Sequence, residues 1–238
     1  MLIEKVYNAL ERSLDTCFPP RCRLCGDPGV GADICPACYH DLPWNLQACP
    51  ICAEPASAPC TPCGRCQKEH APYDLIRAPW VYGPPLDHLI QALKFHGDLA
   101  AGRLLGQLLT WAVQNAATDI DCLIPMPLHR SRLQERGYNQ AMELARPLAR
   151  QTGLQPAPGV VHRCRATAAQ SALPREARKA NMRQAFNVTG MVAGRRIAVI
   201  DDVVTSTATA RAIAGALLEA GAARIEIWAV CRTPRETD

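Results

Sequence analysis

Two adjacent carboxylates in this sequence stand between an apolar run and a series of small hydroxyl residues. Asp201 and Asp202 follow Ile197–Ile200, and the residues after them open a helix with Thr205, Ser206, Thr207, Ala208 and Thr209. Free N–H groups in the first turn of a helix bind phosphate, and hydroxyl side chains add further donors. Carboxylates accept hydrogen bonds from vicinal sugar hydroxyls. The junction therefore predicts a pocket for a 5-phosphoribosyl group.

Other phosphate sites and a purely structural role are the alternatives for this junction. A Walker loop requires G-x-x-x-x-G-K-[ST], and neither that string nor a dinucleotide-binding fingerprint occurs in the chain. Asp202 or Thr205 capping a helix would be the structural interpretation. Capping alone does not account for the whole run of hydroxyl residues, so the phosphoribosyl pocket is favoured.

Cysteine pairs with metal-ligand spacing form a second chemical pattern. Each C-x-x-C pair presents two thiolates to one tetrahedral ion, and two pairs close a four-cysteine zinc site. The predicted ligands are Cys22, Cys25, Cys35 and Cys38 for one site, and Cys49, Cys52, Cys63 and Cys66 for another. One or two structural zinc ions are therefore expected.

The cysteine pattern leaves three questions open. Cys60 competes with Cys66 as the partner of Cys63, and the pairs could also combine in a crossed manner. Iron–sulfur ligation is the alternative to zinc. The remaining cysteines, interpreted as buried or free thiols, are Cys17, Cys122, Cys164 and Cys231.

The charge distribution favours polyanions as ligands of one segment. The formal net charge is only +4, but residues 125–196 contain thirteen Lys or Arg against three acids. Such a field suits phosphates or nucleic acid, and a solvated basic surface is the alternative. Aromatic residues amount to only 5%, so a stacking platform for single-stranded DNA has little support from composition.

The predicted compartment is the cytoplasm. The first twenty residues lack the basic start and unbroken apolar run of an export signal, and no apolar stretch is long enough to span a membrane. Thiols stay reduced in the cytosol, so thirteen cysteines indicate metal binding rather than disulfides.

Strands and helices alternate in the second part of the chain. Strands are predicted in DLIRAPWVY, DCLIPMP, residues 196–201 and RIEIWAVC, with helices from Leu86, over 100–114, near 139–151 and up to Ala220. Arginine-rich loop and irregular segments are expected after Pro127 and after residue 151. This alternation predicts a parallel α/β sheet with ligands beyond the carboxyl ends of the strands.

Three segments are predicted from composition. Residues 1–16 have the spacing of an amphipathic helix, residues 17–72 are rich in Cys, Pro and Gly, and residues 73–238 contain the α/β pattern. The predicted organisation is an N-terminal helix, a zinc-binding module and an α/β domain.

The quoted motifs resemble those of a known family. IAVIDDVVTSTATA is similar to the phosphoribosyl pyrophosphate (PRPP) motif of type I phosphoribosyltransferases. Together with IPMPLHRSRLQERGYNQA, RATAAQSALPREARKANMRQAF and the cysteine pairs, it makes the chain resemble the ComF/GntX family, which is associated with DNA uptake and use. The resemblance implies a type I phosphoribosyltransferase fold and binding of PRPP with Mg²⁺. The family loop usually has glycine at the position of Thr207.

The resemblance also implies roles for two basic loops. The first, residues 127–139, would neutralise pyrophosphate through Arg130, Arg132 and Arg136, while Gly137 would permit close approach of the backbone. The second, residues 163–186, would close as a lid and stabilise the departing pyrophosphate through Arg175, Arg178 and Lys179. His129 and His162 are the candidates for a base.

Two functions follow from different classes of protein. The first is a phosphoribosyltransferase that transfers ribose 5-phosphate from PRPP to a nitrogenous acceptor, in connection with imported DNA. The second is a noncatalytic phosphoribosyl- or DNA-binding protein of the DNA-uptake machinery, with single-stranded DNA or DNA-processing proteins as partners. Two outcomes are open at Thr207: the loop has ordinary helical dihedrals and Thr207 contributes a hydroxyl, or the substitution weakens the site and the chain binds its ligand without catalysis.

Overall fold

A computed structural model describes residues 19–56, 61–164 and 185–235. The chain forms two compact units, residues 1–42 and residues 43–238. The predicted boundary near residue 73 divides the chain differently, and as a statement about domains it stays a prediction. The predicted helix at 1–16 lies outside the described residues.

The smaller unit has little apolar core in its described part. Its one helix there is α1, Pro36–His40, and its buried apolar side chains include Ile34 and Leu42. A tight turn is closed by the Cys22 N–H donating to the Asp27 carbonyl over 2.7 Å. So small a core favours stabilisation by a bound metal.

The larger unit contains a parallel sheet. Its strands are β1 (Leu75–Arg77), β2 (Trp80–Val81), β3 (Cys122–Pro125), β6 (Arg196–Val204) and β7 (Arg224–Arg232). The order is β1-β7-β6-β3, and β2 also pairs with β7. A separate antiparallel pair is formed by β4 (Val161–Arg163) and β5 (Phe186–Val188).

Helices flank this sheet. The helices of the described part of the larger unit are α2 (Gly64–Lys68), α3 (Leu86–Phe95), α4 (Leu99–Val113), α5 (Arg130–Arg136), α6 (Gln140–Thr152) and α7 (Ala208–Glu219). Helix α7 packs in one core cluster with Ile197 and Val199 of β6. The alternate residues Ala198 and Ile200 point to the other face and are also fully buried. The two-sided burial explains why these strands are continuously apolar.

Close packing of α4 against α6 depends on a glycine. A Cβ atom on Gly106 would lie 2.8 Å from the carbonyl oxygen of Leu144 and 2.9 Å from a ring carbon of Pro147. The absence of a side chain lets the two helices approach at this point.

The parallel sheet flanked by helices, with cysteine clusters before it, confirms the predicted fold class. Two local predictions differ from the structure. The strand predicted at 196–201 continues to Val204, because Val203 and Val204 pair with Cys231 and Arg232 of β7. The arginine-rich loop after Pro127 contains helix α5, whose start is capped by the Nδ1 atom of His129 accepting from the Ser131 N–H.

The segment predicted as irregular contains the β4–β5 pair, because Val161 and Phe186 lie in strands whose residues pair across the intervening chain. In the described ranges, no helix has the length and apolar character needed to cross a lipid bilayer.

Candidate active site and metal centres

The predicted carboxylates lie where parallel strands place ligand-binding groups. Asp201 and Asp202 belong to the carboxyl-terminal half of β6, and Pro125 at the end of β3 pairs with Ile200. The main chain then turns through Thr205 and Ser206 into α7. Strand ends, loop and helix start thus meet at one edge of the sheet, as predicted.

Asp202 is buried and forms an ion pair with a lysine. The Nζ atom of Lys94 lies 2.9 Å from Oδ1 of Asp202, and the carboxylate side chain is 5% exposed. Within the described part of the chain, the buried Oδ2 atom has no hydrogen-bond partner. A buried acceptor without a donor is unfavourable, so a ligand hydroxyl or a cation at Oδ2 would stabilise this side chain.

Asp201 is half-buried and holds its proton more tightly than an ordinary carboxyl group. Burial raises its pKa to about 7, the negative charge of Asp202 acts in the same direction, and Lys94 and Arg163 oppose them. Its Oδ1 atom accepts from the Asp202 N–H over 2.9 Å. Because that pKa lies near neutral pH, a bound cation would readily displace the proton.

Thr207 adopts an unusual backbone conformation at the start of α7. Its φ and ψ are 57° and 0°, in the left-handed region, and the residue is 2% exposed. For a β-branched residue this conformation costs about 1–2 kcal/mol. Of the two outcomes considered for Thr207, ordinary helical dihedrals are therefore not found. The Thr207 hydroxyl accepts from Nη2 of Arg65 over 2.5 Å.

The loop around Thr207 nevertheless has the features expected of a phosphate site. Thr205 and Ser206 are exposed, and Ala208 and Thr209 form the first turn of the twelve-residue helix α7. The first four N–H groups of a helix lack partners within the helix. The structure thus brings the five predicted loop residues together next to the carboxylates.

The residues predicted to bind pyrophosphate lie on and after α5. Arg130 and Arg132 are exposed, whereas Arg136 donates to Oε1 of Gln140 over 2.5 Å and lies 6.0 Å from the ring centre of Phe95. Phe95 directly follows Lys94, the partner of Asp202. Arg136 is thereby linked through α3 to the carboxylate pair.

Gly137 has a conformational role that the sequence reasoning did not assign. It ends α5 with φ of 81°, and its N–H donates to the carbonyl of Leu133 over 2.9 Å. Nothing lies within 4 Å of the position of an added Cβ, so the left-handed backbone and not crowding favours glycine.

The lid residues Arg175, Arg178 and Lys179 lie outside the described residues, and their proposed role stays a prediction. Of the two base candidates, His129 caps α5 and pairs through Nδ1 with the Ser131 hydroxyl at 2.7 Å. His162 lies on β4 and is exposed.

Sequence reasoning missed two basic residues of this site. Lys94 pairs with Asp202, and Arg65 binds Thr207. Arg163, the first residue of the predicted lid segment, has a half-buried guanidinium on which the charge of Asp201 acts. Lys94 and Arg65 come from segments more than 100 residues away along the chain, and single basic residues have no diagnostic spacing. The position of Arg65 between two predicted ligands, Cys63 and Cys66, was the available signal.

The first cysteine cluster fits a tetrahedral metal ion. The ligand atoms of Cys22, Cys25, Cys35 and Cys38 all lie within 4.8 Å of one another, and the Cys25 and Cys35 sulfurs are 3.6 Å apart. A tetrahedral zinc ion with bonds of about 2.3 Å places its sulfurs about 3.8 Å apart. Burial opposes ionisation of Cys22, but backbone N–H groups outweigh it and lower the pKa of this thiol to about 6.

The second cluster fits in the same way. The ligand atoms of Cys49, Cys52, Cys63 and Cys66 lie within 4.8 Å of one another, and the Cys63 N–H donates to the Cys49 sulfur over 3.3 Å. Burial raises the pKa of Cys49, but hydrogen bonds from backbone N–H groups prevail and lower it to about 7. The two sets are those predicted, without crossing, while Cys60 lies outside the described residues.

The two centres belong to different units. Cys22, Cys25, Cys35 and Cys38 lie in the smaller unit, and the other four ligands lie in the larger one. Cys49, Cys52 and Ala53 join the same core cluster as Ile76 and Ile225 of the sheet. The Ile76 N–H also donates to the Ile51 carbonyl over 2.8 Å. The second centre is thus part of the α/β body.

Comparisons with known proteins agree with this architecture. Residues 13–67 match the double zinc ribbon domain family. DNA utilization protein YhgH of Salmonella typhimurium is 36% identical over 222 residues, which cover 90% of this chain and 98% of that protein. The YhgH protein of Escherichia coli has the same identity and coverage. Competence protein F of Haemophilus influenzae is 30% identical over 207 residues, which cover 84% of this chain and 90% of that protein.

Solved structures were compared as well. Glutamine phosphoribosylpyrophosphate amidotransferase from B. subtilis, complexed with ADP and GMP, has a TM-score of 0.39 and 22% identity. The match covers 53% of this chain and 26% of that chain.

Proposed function

Since the chain belongs to the ComF/GntX family, together with competence protein F and DNA utilization protein YhgH, we propose that it binds PRPP and transfers ribose 5-phosphate to a nitrogenous acceptor. In this reaction the bond between the anomeric carbon and a pyrophosphate oxygen breaks. A bond from the acceptor nitrogen to that carbon forms, the nitrogen loses its proton, and pyrophosphate leaves. The names of the relatives support a place for this reaction in the uptake or use of imported DNA.

The observation that carries the proposal is the buried oxygen of Asp202 that lacks a donor among the described residues. Oδ2 of Asp202 lies in the carboxyl-terminal half of β6, where ligands bind in parallel α/β sheets. A ribose hydroxyl is a neutral donor and fits such an acceptor. Asp201, its neighbour in the chain, would accept from a second vicinal hydroxyl once ionised.

The loop beyond the carboxylates would hold the 5-phosphate. Thr205 and Ser206 offer exposed hydroxyls, and the first turn of α7 offers N–H groups with the helix dipole behind them. The carboxylates and the loop would thus hold opposite ends of a ribose 5-phosphate.

Basic residues on and after α5 would receive the pyrophosphate. Arg130, Arg132 and Arg136 supply charge that counts most in the transition state, where the leaving group becomes more negative. We assign the predicted lid residues Arg175, Arg178 and Lys179 to the same task. Magnesium, which would arrive with PRPP, fits the carboxylate oxygens of Asp201 and Asp202 and would neutralise diphosphate charge when bound.

Titration calorimetry with PRPP and Mg²⁺ tests the binding step. Asp201→Asn and Asp202→Asn should each weaken affinity tenfold or more, because each removes a charged acceptor worth about 1.5–3 kcal/mol. Asp119→Asn is the matched control, since Asp119 lies near Arg196 at the opposite end of β6. Wild-type protein that fails to bind millimolar PRPP would refute the proposal.

A second candidate is a noncatalytic binding protein, and the Lys94–Asp202 pair favours it. This lysine occupies Oδ1 of Asp202, one of the positions that a magnesium ion would otherwise use. In that case PRPP binds without pyrophosphate release in the presence of a metabolite extract. Single-stranded DNA should then bind with steep salt dependence and little sequence preference. Loss of that binding in Arg130→Ala with Arg136→Ala would assign it to the α5 segment.

A further inference from the structure

The second cysteine centre contacts the loop before α7 through an arginine. Arg65 lies in α2, between the metal ligands Cys63 and Cys66. Its Nη2 atom donates to the Thr207 hydroxyl over 2.5 Å, and its Nη1 atom donates to the Ser206 carbonyl over 3.4 Å. One planar guanidinium therefore engages two consecutive residues of the predicted phosphate loop.

A second arginine links the same regions from the other direction. Arg232 at the end of β7 is fully buried and donates through Nε to the Cys52 carbonyl over 3.2 Å. Its Nη1 atom donates to the Val204 carbonyl over 2.9 Å and also to that of Thr205. Glu54, two residues after Cys52, accepts from Nη2 and balances the buried charge.

These contacts explain how Thr207 keeps a backbone conformation that β-branched residues avoid. The carbonyls of Val204 and Thr205 are fixed by Arg232, and the Thr207 side chain is fixed by Arg65. A left-handed residue at the helix start persists when surrounding contacts determine it. The side-chain hydroxyl faces the arginine, so the N–H groups of the following turn stay available to a ligand.

We propose that Arg65 is a positioning residue that holds loop 205–209 in its phosphate-binding shape. The second four-cysteine centre anchors Arg65 by fixing α2 on both sides of it. Metal at this centre thereby sets the geometry of the loop, 142 residues further along the chain. The identity of the ligand rests on the proposed function, but the clamp itself rests on the described contacts alone.

The charge of Arg65 adds to this positional effect. A guanidinium hydrogen-bonded to the loop raises the local positive potential where a 5-phosphate would bind. Part of the binding free energy of PRPP would then depend on ionic strength through a residue of the cysteine-rich segment.

Amide hydrogen exchange of Arg211 tests the clamp without any ligand, since its N–H donates to the Thr207 carbonyl over 2.9 Å. Exchange of this amide should accelerate at least tenfold in Arg65→Ala, because Thr207 loses the hydrogen bond that holds it in place. Lys68→Ala is the matched control, since Lys68 is an exposed basic residue in the same helix. Unchanged exchange of Arg211 in Arg65→Ala would overturn the inference. The same comparison with Arg65→Lys, which keeps the charge without the planar fork, applies if the alanine variant does not fold.

Calorimetry with PRPP and Mg²⁺ then tests the consequence for binding. Arg65→Ala and Thr207→Val should each weaken affinity about tenfold, and the double variant should be little weaker than either, because both remove the same contact. Fully additive losses would contradict a shared contact. If exchange accelerates as expected while wild type does not bind PRPP, the clamp stands and the proposed function fails.

Discussion

At the scale of single residues, the site is defined by groups held in unfavourable states. Asp201 keeps a raised pKa, Asp202 buries an oxygen that has no partner among the described residues, and Thr207 has a left-handed backbone. Each state would be relieved or used by a ligand that carries hydroxyls, a cation and a phosphate. Strained and desolvated groups of this kind concentrate at functional sites.

Asp201→Asn should stabilise the free protein at pH 8. The folded pKa of Asp201, about 7, lies above its unfolded value near 3.9. As pH rises between these values, the unfolded chain ionises more readily than the folded protein, so the free energy of unfolding decreases. Each unit of pKa difference corresponds to about 1.4 kcal/mol, but partial exposure of the side chain screens the effect. We therefore expect the substitution to raise the free energy of unfolding at pH 8 by about 2 kcal/mol. Urea unfolding at pH 5 and pH 8 measures it, and the gain should be much smaller at pH 5.

The same substitution should remove part of the pH dependence of ligand binding. Wild-type affinity for PRPP with Mg²⁺ should rise from pH 6 to pH 8 as Asp201 loses its proton, and the affinity of Asp201→Asn should rise less. Taking the ratio of the two proteins cancels the titration of PRPP itself. A constant ratio over this range would show that Asp201 does not titrate in the free site.

At the scale of elements, a glycine within a helix can be required by close packing against a neighbouring helix, or it can lie on an open surface where it only weakens the helix. Gly106 lies in the interior of α4 where it meets α6, and Gly215 lies in α7 with nothing within 4 Å of an added Cβ. The intrinsic helix propensity of the two positions is the same. The two positions differ only in that α6 packs against Gly106, whereas the space next to Gly215 is open.

The substitution Gly→Ala should therefore change stability in opposite directions at these positions. Gly106→Ala should lower the free energy of unfolding by about 1–3 kcal/mol, because the new methyl group meets the Leu144 backbone. Gly215→Ala should raise it by up to about 1 kcal/mol through helix propensity. Urea titration of both variants checks the prediction, and destabilisation by Gly215→Ala would contradict it.

At the scale of the whole molecule, the two metal centres serve different units. The first stabilises a segment with few buried apolar residues, whereas the second contributes Cys49 and Cys52 to the core beside the sheet. Metal binding to a structural site of four cysteines contributes directly to folding. Loss of each centre should therefore have separate consequences.

Freshly purified protein should contain two zinc ions per chain. Acid should release them by protonating the thiolates, and a strong chelator should release them by competing for the metal. The pair Cys63→Ser with Cys66→Ser should lose one ion and lower the melting temperature of the larger unit by roughly 10 °C, as expected for a loss of several kcal/mol. The pair Cys22→Ser with Cys25→Ser should lose one ion and leave that transition nearly unchanged. Elemental analysis and scanning calorimetry measure both quantities, and equal shifts for the two pairs would refute the assignment of the centres to separate units.

The sequence by itself determined the features that have a local signal. Alternating apolar and helical segments indicated the parallel sheet, C-x-x-C spacing indicated the metal ligands, and the junction of Asp201–Asp202 with hydroxyl residues indicated a ligand site at a strand end. The sheet and the cysteine clusters were predicted correctly because period and spacing are properties of neighbouring residues, whereas the ligand site stays a prediction. The length of β6 was underestimated, since pairing with β7 and not local composition extends it to Val204.

Only the tertiary structure decided which distant side chains complete the site. The pairing of cysteines without crossing, the contact of Lys94 with Asp202, and the clamp of Arg65 on Thr207 each join segments that no local pattern connects. The left-handed backbone of Thr207 also depends on those contacts, because the residue type by itself disfavours it. Contacts between distant residues follow from how helices, strands and metal centres pack, and a solitary lysine or arginine has no spacing that reveals its partner.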